Sequence, residues 1–179
     1  MTQVGTVYGE ALYELALSEG LDSAILAELG VLEQAFRSEP DYLKLLRSPN
    51  LSKSERCGIL DEAFRDRVQP YLLNFLKILV EKGYIGSFPQ CCEAFTRRYN
   101  DDHGILPVTA VTAVPLTPEQ TSALTQKLSR ITGKTIALRN RLDPQVLGGV
   151  RLDYDGKRLD DTIAHRLEAI RGLLKKDVL

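Results

Sequence analysis

At Asp101-Asp102-His103-Gly104 the hydrophobic rhythm of the chain changes, and that break limits the fold more than any single motif. Before it, apolar residues recur every three or four positions, the period of a helix with one buried face. After it, "ILPVTAVTAVPL", "KTIALRNRL" and "VRLDY" alternate and are rich in β-branched residues, as half-buried strands are. No single element can serve both periods. The expected fold is therefore mainly α: an N-terminal six-helix bundle over residues 1–104, then a small α+β domain over residues 105–179. A chain of 179 residues has room for one domain or two small ones.

In the first helix, Tyr8, Ala11, Leu12 and Leu15 share a face, while Tyr13 and Leu17 make a second strip nearly opposite. Such a helix either lies inside a bundle or offers one face to a partner. The next places Ile25, Leu26, Leu29, Leu32 and Phe36 on one stripe, and a short helix around Tyr42–Leu46 follows. "LSKSE" supplies a capping box, with Glu55 three residues after Ser52. Pro70 opens "PYLLNFLKILVEKG", which is apolar except for a thin strip of Asn74, Lys77 and Glu81 and so reads as a central helix. A sixth runs from about Ser87 to Asn100.

In the second half, Thr117-Pro118-Glu119-Gln120 opens a helix whose expected buried stripe is Leu124, Leu128 and Ile131. Val150, Leu152 and Tyr154 share a strand face, and Asp155-Gly156 signals a tight hairpin. A last helix is expected to align Leu159, Ile163, Leu167, Ile170 and Leu174.

Charge is unevenly distributed. Residues 1–104 hold 11 Lys/Arg against 16 Asp/Glu, residues 105–179 hold 12 against 8, and the first 36 residues contain no Lys or Arg. The net −1 and the absence of a concentrated basic patch argue against a nucleic-acid protein. No apolar run approaches the roughly 20 residues of a membrane-spanning helix. No secretory signal is seen at Met1-Thr2-Gln3-Val4, and three cysteines without a metal-ligand spacing fit a reduced, cytoplasmic setting.

Chemistry-bearing motifs are few. "RITGKT" ends like a phosphate-binding loop, but Leu128 stands where the first glycine is required, and Gly133 reads as a helix-stopping glycine. His165 lies one turn after Asp161, yet no serine or cysteine nucleophile motif accompanies it. His103 falls in the expected linker. Asp153 and Asp155 lack a third metal ligand. No catalytic constellation, metal site or cofactor site emerges.

Four blocks in order carry a resemblance to a known family: "YGEALYELAL", "SPNLSKSER", "FLKILVEKGYIGSFPQCCEAF" and "VLGGVRLDYDGKRLDDTIAHRLEAIRGLL". Together they resemble the delta subunit of bacterial-type F-type ATP synthases, related to the mitochondrial oligomycin-sensitivity-conferring protein. The vicinal Cys91-Cys92 and the Gly148 position depart from the pattern. The resemblance implies a non-enzymatic peripheral-stalk (stator) subunit without cofactor or nucleotide. It would link the catalytic head to the membrane-anchored b subunits, so that proton-driven rotation yields ATP synthesis.

The implied partners are the N-terminal segments of the alpha subunits, bound by the first domain, and the C-terminal end of the b subunit, bound by the second. The implied place is the cytoplasmic face of the cell membrane, held there only through the complex; thylakoid or inner organelle membranes are the other settings. Residue by residue, the resemblance puts the alpha-binding groove at Tyr8, Ala11 and Leu12 of the first helix and Asn74, Phe75 and Ile78 of the fifth. It gives Gly148, Gly149 and Arg166 structural places in the C-terminal signature. Two other classes stand beside it: a cytoplasmic helical RNA-binding or regulatory module using the basic second half, and a hydrolase or transferase built around His165.

Overall fold

The structure, a computed structural model, describes residues 3–146 and 148–160. The chain is mostly helical with a small four-stranded mixed sheet, and it divides into two compact units, Met1–Tyr99 and Asn100–Leu179. Ahead of the first strand come α1 (Gln3–Ser18), α2 (Asp22–Ser38), α3 (Pro40–Leu46), α4 (Lys53–Phe64), α5 (Pro70–Glu81) and α6 (Phe88–Asp102).

Their ends are set largely by local chemistry. The Ser52–Glu55 capping box forms in full, with the Ser52 N–H donating to the Glu55 carboxylate at 2.7 Å and the Glu55 N–H to the Ser52 hydroxyl at 3.2 Å. Pro70 opens α5, and Gly20 and Gly83 take positive φ just beyond α1 and α5. The N-terminus of α5 has no side-chain cap of its own residue. Instead Glu28, from α2, accepts the Gln69 N–H at 2.8 Å, placing a negative charge where the helix dipole is positive.

As its composition requires, α5 is central, with Leu72, Leu73, Phe75, Leu76, Leu79 and Val80 all buried. Each such side chain contributes about 1.5–3 kcal/mol by leaving water. The α2 stripe is buried at Ile25, Leu29, Leu32 and Phe36. The Phe36 ring meets Tyr42 of α3, Phe64 of α4 and Phe88 of α6 at centroid distances of 5.9, 6.2 and 5.1 Å, so one side chain ties four helices.

The first helix packs differently from its expected faces. Its buried residues are Gly5, Gly9, Leu12, Tyr13 and Ala16, while Leu15 and Leu17 are exposed. Tyr13, expected opposite Leu12's face, lies in the core with its ring 5.3 Å from Phe95. The reason is close backbone approach. A Cβ added at Gly5 would meet the Gln90 Cβ, and one added at Gly9 would strike the Cys91 carbonyl oxygen and lie 2.8 Å from the Ala94 Cβ. Small residues let α1 settle on α6, and that contact outranks the larger apolar side chains.

The second unit runs β1 (Ile105–Thr112), α7 (Pro118–Thr132), β2 (Thr135–Leu142), β3 (Val150–Tyr154) and β4 (Lys157–Asp160), with a 3-10 turn at Pro144–Val146. The sheet order is β2-β1-β3-β4; β1 and β2 are parallel across the α7 crossover, and the other pairs are antiparallel. Leu106, Val108, Ala110, Ile136, Leu138 and Leu152 form one face, covered by Leu124 and Leu128. Asn140 fastens this layer: its amide donates to the Ala110 carbonyl at 2.9 Å and the Thr112 hydroxyl at 2.8 Å, and its oxygen accepts the Leu116 N–H at 3.0 Å. Asp155 and Gly156 both take positive φ in the hairpin turn.

Two expectations are corrected. Leu159 does not open a helix; it lies in β4, opposite Leu152 and 54% exposed, because the Asp155-Gly156 turn sends the chain straight back as a strand. Ile131 is 72% exposed rather than buried, since it sits in the last turn of α7, beyond the Leu124–Leu128 contact. The rest of the expected last-helix stripe, Ile163, Leu167, Ile170 and Leu174, lies outside the described residues.

The α1–α6 contact predicts opposite signs for one substitution at two helical glycines. Alanine in place of a helical glycine gains about 1 kcal/mol of propensity. At Gly30, with nothing within 4 Å, Gly30→Ala should raise the melting temperature. At Gly9 overpacking against backbone costs about 1–3 kcal/mol, so Gly9→Ala should lower it. Thermal unfolding by circular dichroism checks both; a stabilised Gly9→Ala would contradict the contact.

Candidate functional site

The Gly-Lys-Thr tripeptide is the first candidate, and its backbone donors are already engaged. Gly133 caps α7 in the left-handed conformation, and its N–H donates to the Ser129 carbonyl at 2.8 Å. The Lys134 N–H donates to the Thr132 hydroxyl at 3.3 Å and the Thr135 N–H to the Gly104 carbonyl at 2.9 Å. A phosphate cradle needs such groups free and converging, so this segment is a helix stop leading into a strand. Asp161, His165 and Arg166 lie outside the described residues, and no group of three or more His, Cys, Asp or Glu that could hold a metal occurs among the described ones.

The cysteines show no sign of reactivity. Burial pushes the Cys91 thiol up to about 11 and the Cys92 thiol further still, and burial together with Glu81 raises Cys57. A thiol raised by burial favours the folded state below the unfolded value of 9.0, and that contribution is lost as pH climbs toward about 11. Iodoacetamide at neutral pH should therefore spare Cys91 and Cys92 in the folded chain and modify them only on unfolding. The helical unit should also lose stability above about pH 9. Mass mapping of native and denatured samples, with melts across that range, checks this.

One apolar surface lies on α1 and α5, which pack against each other. Because α1 turns Gly5 and Gly9 toward α6, Val7, Ala11 and Leu15 face out. Val7 is 57% and Leu15 40% exposed, with Ala11 exposed between them at i, i+4, i+8 spacing. On α5 the thin polar strip is broken by Ile78, 44% exposed, one turn from exposed Asn74. Tyr8 is half-buried and makes an edge-to-face contact with Tyr84, just past α5, at 5.9 Å. The Tyr71 hydroxyl, at the start of α5, bonds to Glu19 beyond the end of α1, which raises the tyrosine's pKa.

The six expected groove residues thus divide. Tyr8, Ala11, Asn74 and Ile78 reach solvent, whereas Leu12 and Phe75 are core, 3% and 7% exposed. The exposed Val7, Leu15 and Tyr84 were not in that set. Leu15 lay on the expected face, and Val7 follows from Ala11 and Leu15 by the i−4 rule. Charges around this surface are acidic on α1 (Glu10 and Glu14) and mixed on α5 (Lys77 and Glu81).

In a comparison with family models, residues 4–174 match the ATP synthase delta (OSCP) subunit. Relatives include ATP synthase subunit delta of Alkaliphilus oremlandii, 32% identical over 94% of both chains. The protein of the same name from Gloeobacter violaceus is 32% identical over 97% of this chain and 91% of its own. The chain belongs to the ATP synthase delta (OSCP) subunit family. It is a non-catalytic subunit of the peripheral stalk of F-type ATP synthase. A chain of the Toxoplasma gondii mitochondrial ATP synthase shares the fold, with a TM-score of 0.73 over 97% of this chain and 98% of its own at 18% identity. Among the described residues no helix is long and apolar enough to cross a membrane.

Glu28 caps the N-terminus of α5 from another helix. Glu28→Ala should cost about 1–2 kcal/mol, as loss of a charged helix cap does, and speed hydrogen exchange at Gln69. Unchanged exchange at Gln69 would mean the cap contributes nothing.

Proposed function

We propose that the six helices of residues 1–104 act as one bundle that binds the N-terminal segment of an alpha subunit in a groove between α1 and α5, while residues 105–179 receive the C-terminal end of the b subunit. The protein then fastens the catalytic head to the membrane-anchored stalk against rotor torque, on the cytoplasmic face in a bacterial cell. The carrying observation is the exposed apolar stripe Val7-Ala11-Leu15 beside Ile78 and Tyr84, on two helices that pack together. Contiguous apolar side chains on a surface mark an interaction site, and an amphipathic helix with apolar residues at i, i+4 and i+7 would cover these. The acidic α1, free of Lys and Arg through residue 36, favours a segment with basic flanks.

Exposure makes the test clean. Ile78→Ala removes a side chain that is 44% exposed and should change the melting temperature little, yet truncating an interface anchor costs about 2 kcal/mol, roughly thirtyfold in affinity. Tyr8→Ala should weaken binding and, since Tyr8 also packs on Tyr84, lower stability modestly. Leu12→Ala should behave as a core change and cost about 2–5 kcal/mol of stability. Titrating a synthetic alpha N-terminal peptide into each variant, with parallel melts, separates the roles. Wild-type affinity in both Ile78→Ala and Tyr8→Ala would remove the groove from the account.

A further inference from the structure

The polar strip of α5 holds three side chains, and two of them are engaged inside the unit. The Lys77 ammonium lies 2.6 Å from the Asp61 carboxylate of α4, and the Cys57 thiol, also on α4, donates to the Glu81 carboxylate at 3.9 Å. The third, Asn74, is exposed, and its side-chain amide has no hydrogen-bond partner among the described residues. Two cross-links fix where this amide sits. Tyr8 of α1 meets Tyr84, just past the end of α5, and the Tyr71 hydroxyl at the start of α5 bonds to Glu19, just past the end of α1. The two helices are therefore antiparallel. Counted from the Tyr71–Glu19 bond at about 1.5 Å per residue, Asn74 comes close to level with Leu15, and Ile78 with Ala11. Tyr71, Asn74 and Ile78, at i, i+3 and i+7, share the face that this bond turns toward α1. One neutral polar group is thus set into an exposed apolar surface.

We propose that Asn74 fixes the register of the helix bound between α1 and α5 by pairing with a neutral polar side chain of that helix; this rests on the reading that the groove receives an alpha-subunit N-terminal segment. Within a helix the backbone N–H and C=O groups are bonded to each other, so only a side chain can answer the amide. The amide offers two donors and an acceptor, which Asn, Gln, Ser or Thr can match. A charged side chain fits less well, because it would lose water between Leu15 and Ile78 without a countercharge. Asn74 and Ile78 are one turn apart, so the bound segment carries its polar residue one turn from the apolar side chain seated on Ile78. A segment that slides along the groove sets an apolar side chain against the amide and leaves it with neither water nor partner, which is costly. A single polar residue in an apolar seam sets the alignment of coiled coils in the same way.

The test is a double-mutant cycle, read by calorimetric titration of a synthetic alpha N-terminal peptide into the full chain. Asn74→Leu is the protein variant, and each polar peptide residue, neutral or charged, is replaced in turn by an apolar one of similar size. Asn74→Leu should melt like wild type, since the side chain is exposed, and should bind the native peptide about tenfold more weakly. Replacing one neutral peptide residue should cost the wild-type chain the same factor and cost Asn74→Leu nothing. That residue should lie three or four positions from the peptide side chain that couples to Ile78→Ala. If Asn74→Leu melts abnormally, Asn74→Ala carries the same cycle. Unchanged affinity in the variant, no coupled peptide position, or coupling to a charged residue would overturn the proposal, while the groove stood as long as Ile78→Ala weakened binding. Failure of the wild-type chain to bind the peptide would remove the groove reading and the proposal with it.

Discussion

The close seat of α1 on α6 is the constraint from which most of the first unit follows. Gly5 and Gly9 have no side chains to hold the helices apart, so backbone and Cβ atoms of the two helices come into direct contact. Once α1 is rotated to present its glycines inward, Leu12, Tyr13 and Ala16 follow them into the core. Val7, Ala11 and Leu15 are then committed to the outside by helical geometry alone. An exposed apolar stripe is thus a by-product of tight packing on the opposite face. A helix anchored closely on one face thus leaves an apolar stripe on the other.

The second unit uses a polar fastening for the same end. Its apolar face is thin, with Leu124 and Leu128 only partly buried on the sheet. Asn140 compensates by joining β2 to the end of β1 and to the loop entering α7 through three hydrogen bonds. Each is worth about 1 kcal/mol net, and their value lies as much in fixing one register as in energy.

How much of this was legible in the sequence depends on the range of each interaction. The capping boxes at Ser52 and Thr117, the stop at Gly133 and the turn at Asp155-Gly156 are written in neighbouring residues, and they formed as read. Leu159 was lost to a conflict between two local signals: a stripe continuing to Ile163 and a hairpin demanding a return strand. Glu28 and Asn140 act across 41 and up to 30 residues, and nothing beside them announces their partners. The exposed apolar surface on α1 and α5 was half legible. Apolar periodicity finds both candidate faces of α1 but counts leucines, and the packing was decided by glycines, which an apolar count ignores. Ile78 could be found because it interrupts a polar strip; Phe75 is core, and the resemblance alone had placed it in the groove.

The position of β1 has a mechanical consequence. The chain leaves α6 and enters the second unit directly as β1, which is not an edge strand: it is paired with β2 over eight positions on one side and β3 over four on the other. Consider tension that enters at Gly104 and runs along the axis of β1. It would load both ladders in shear, so that many hydrogen bonds resist together, whereas a strand peeled from an edge surrenders them one at a time. A stalk protein that must hold while a rotor turns beside it is joined at the point where its sheet is hardest to unravel.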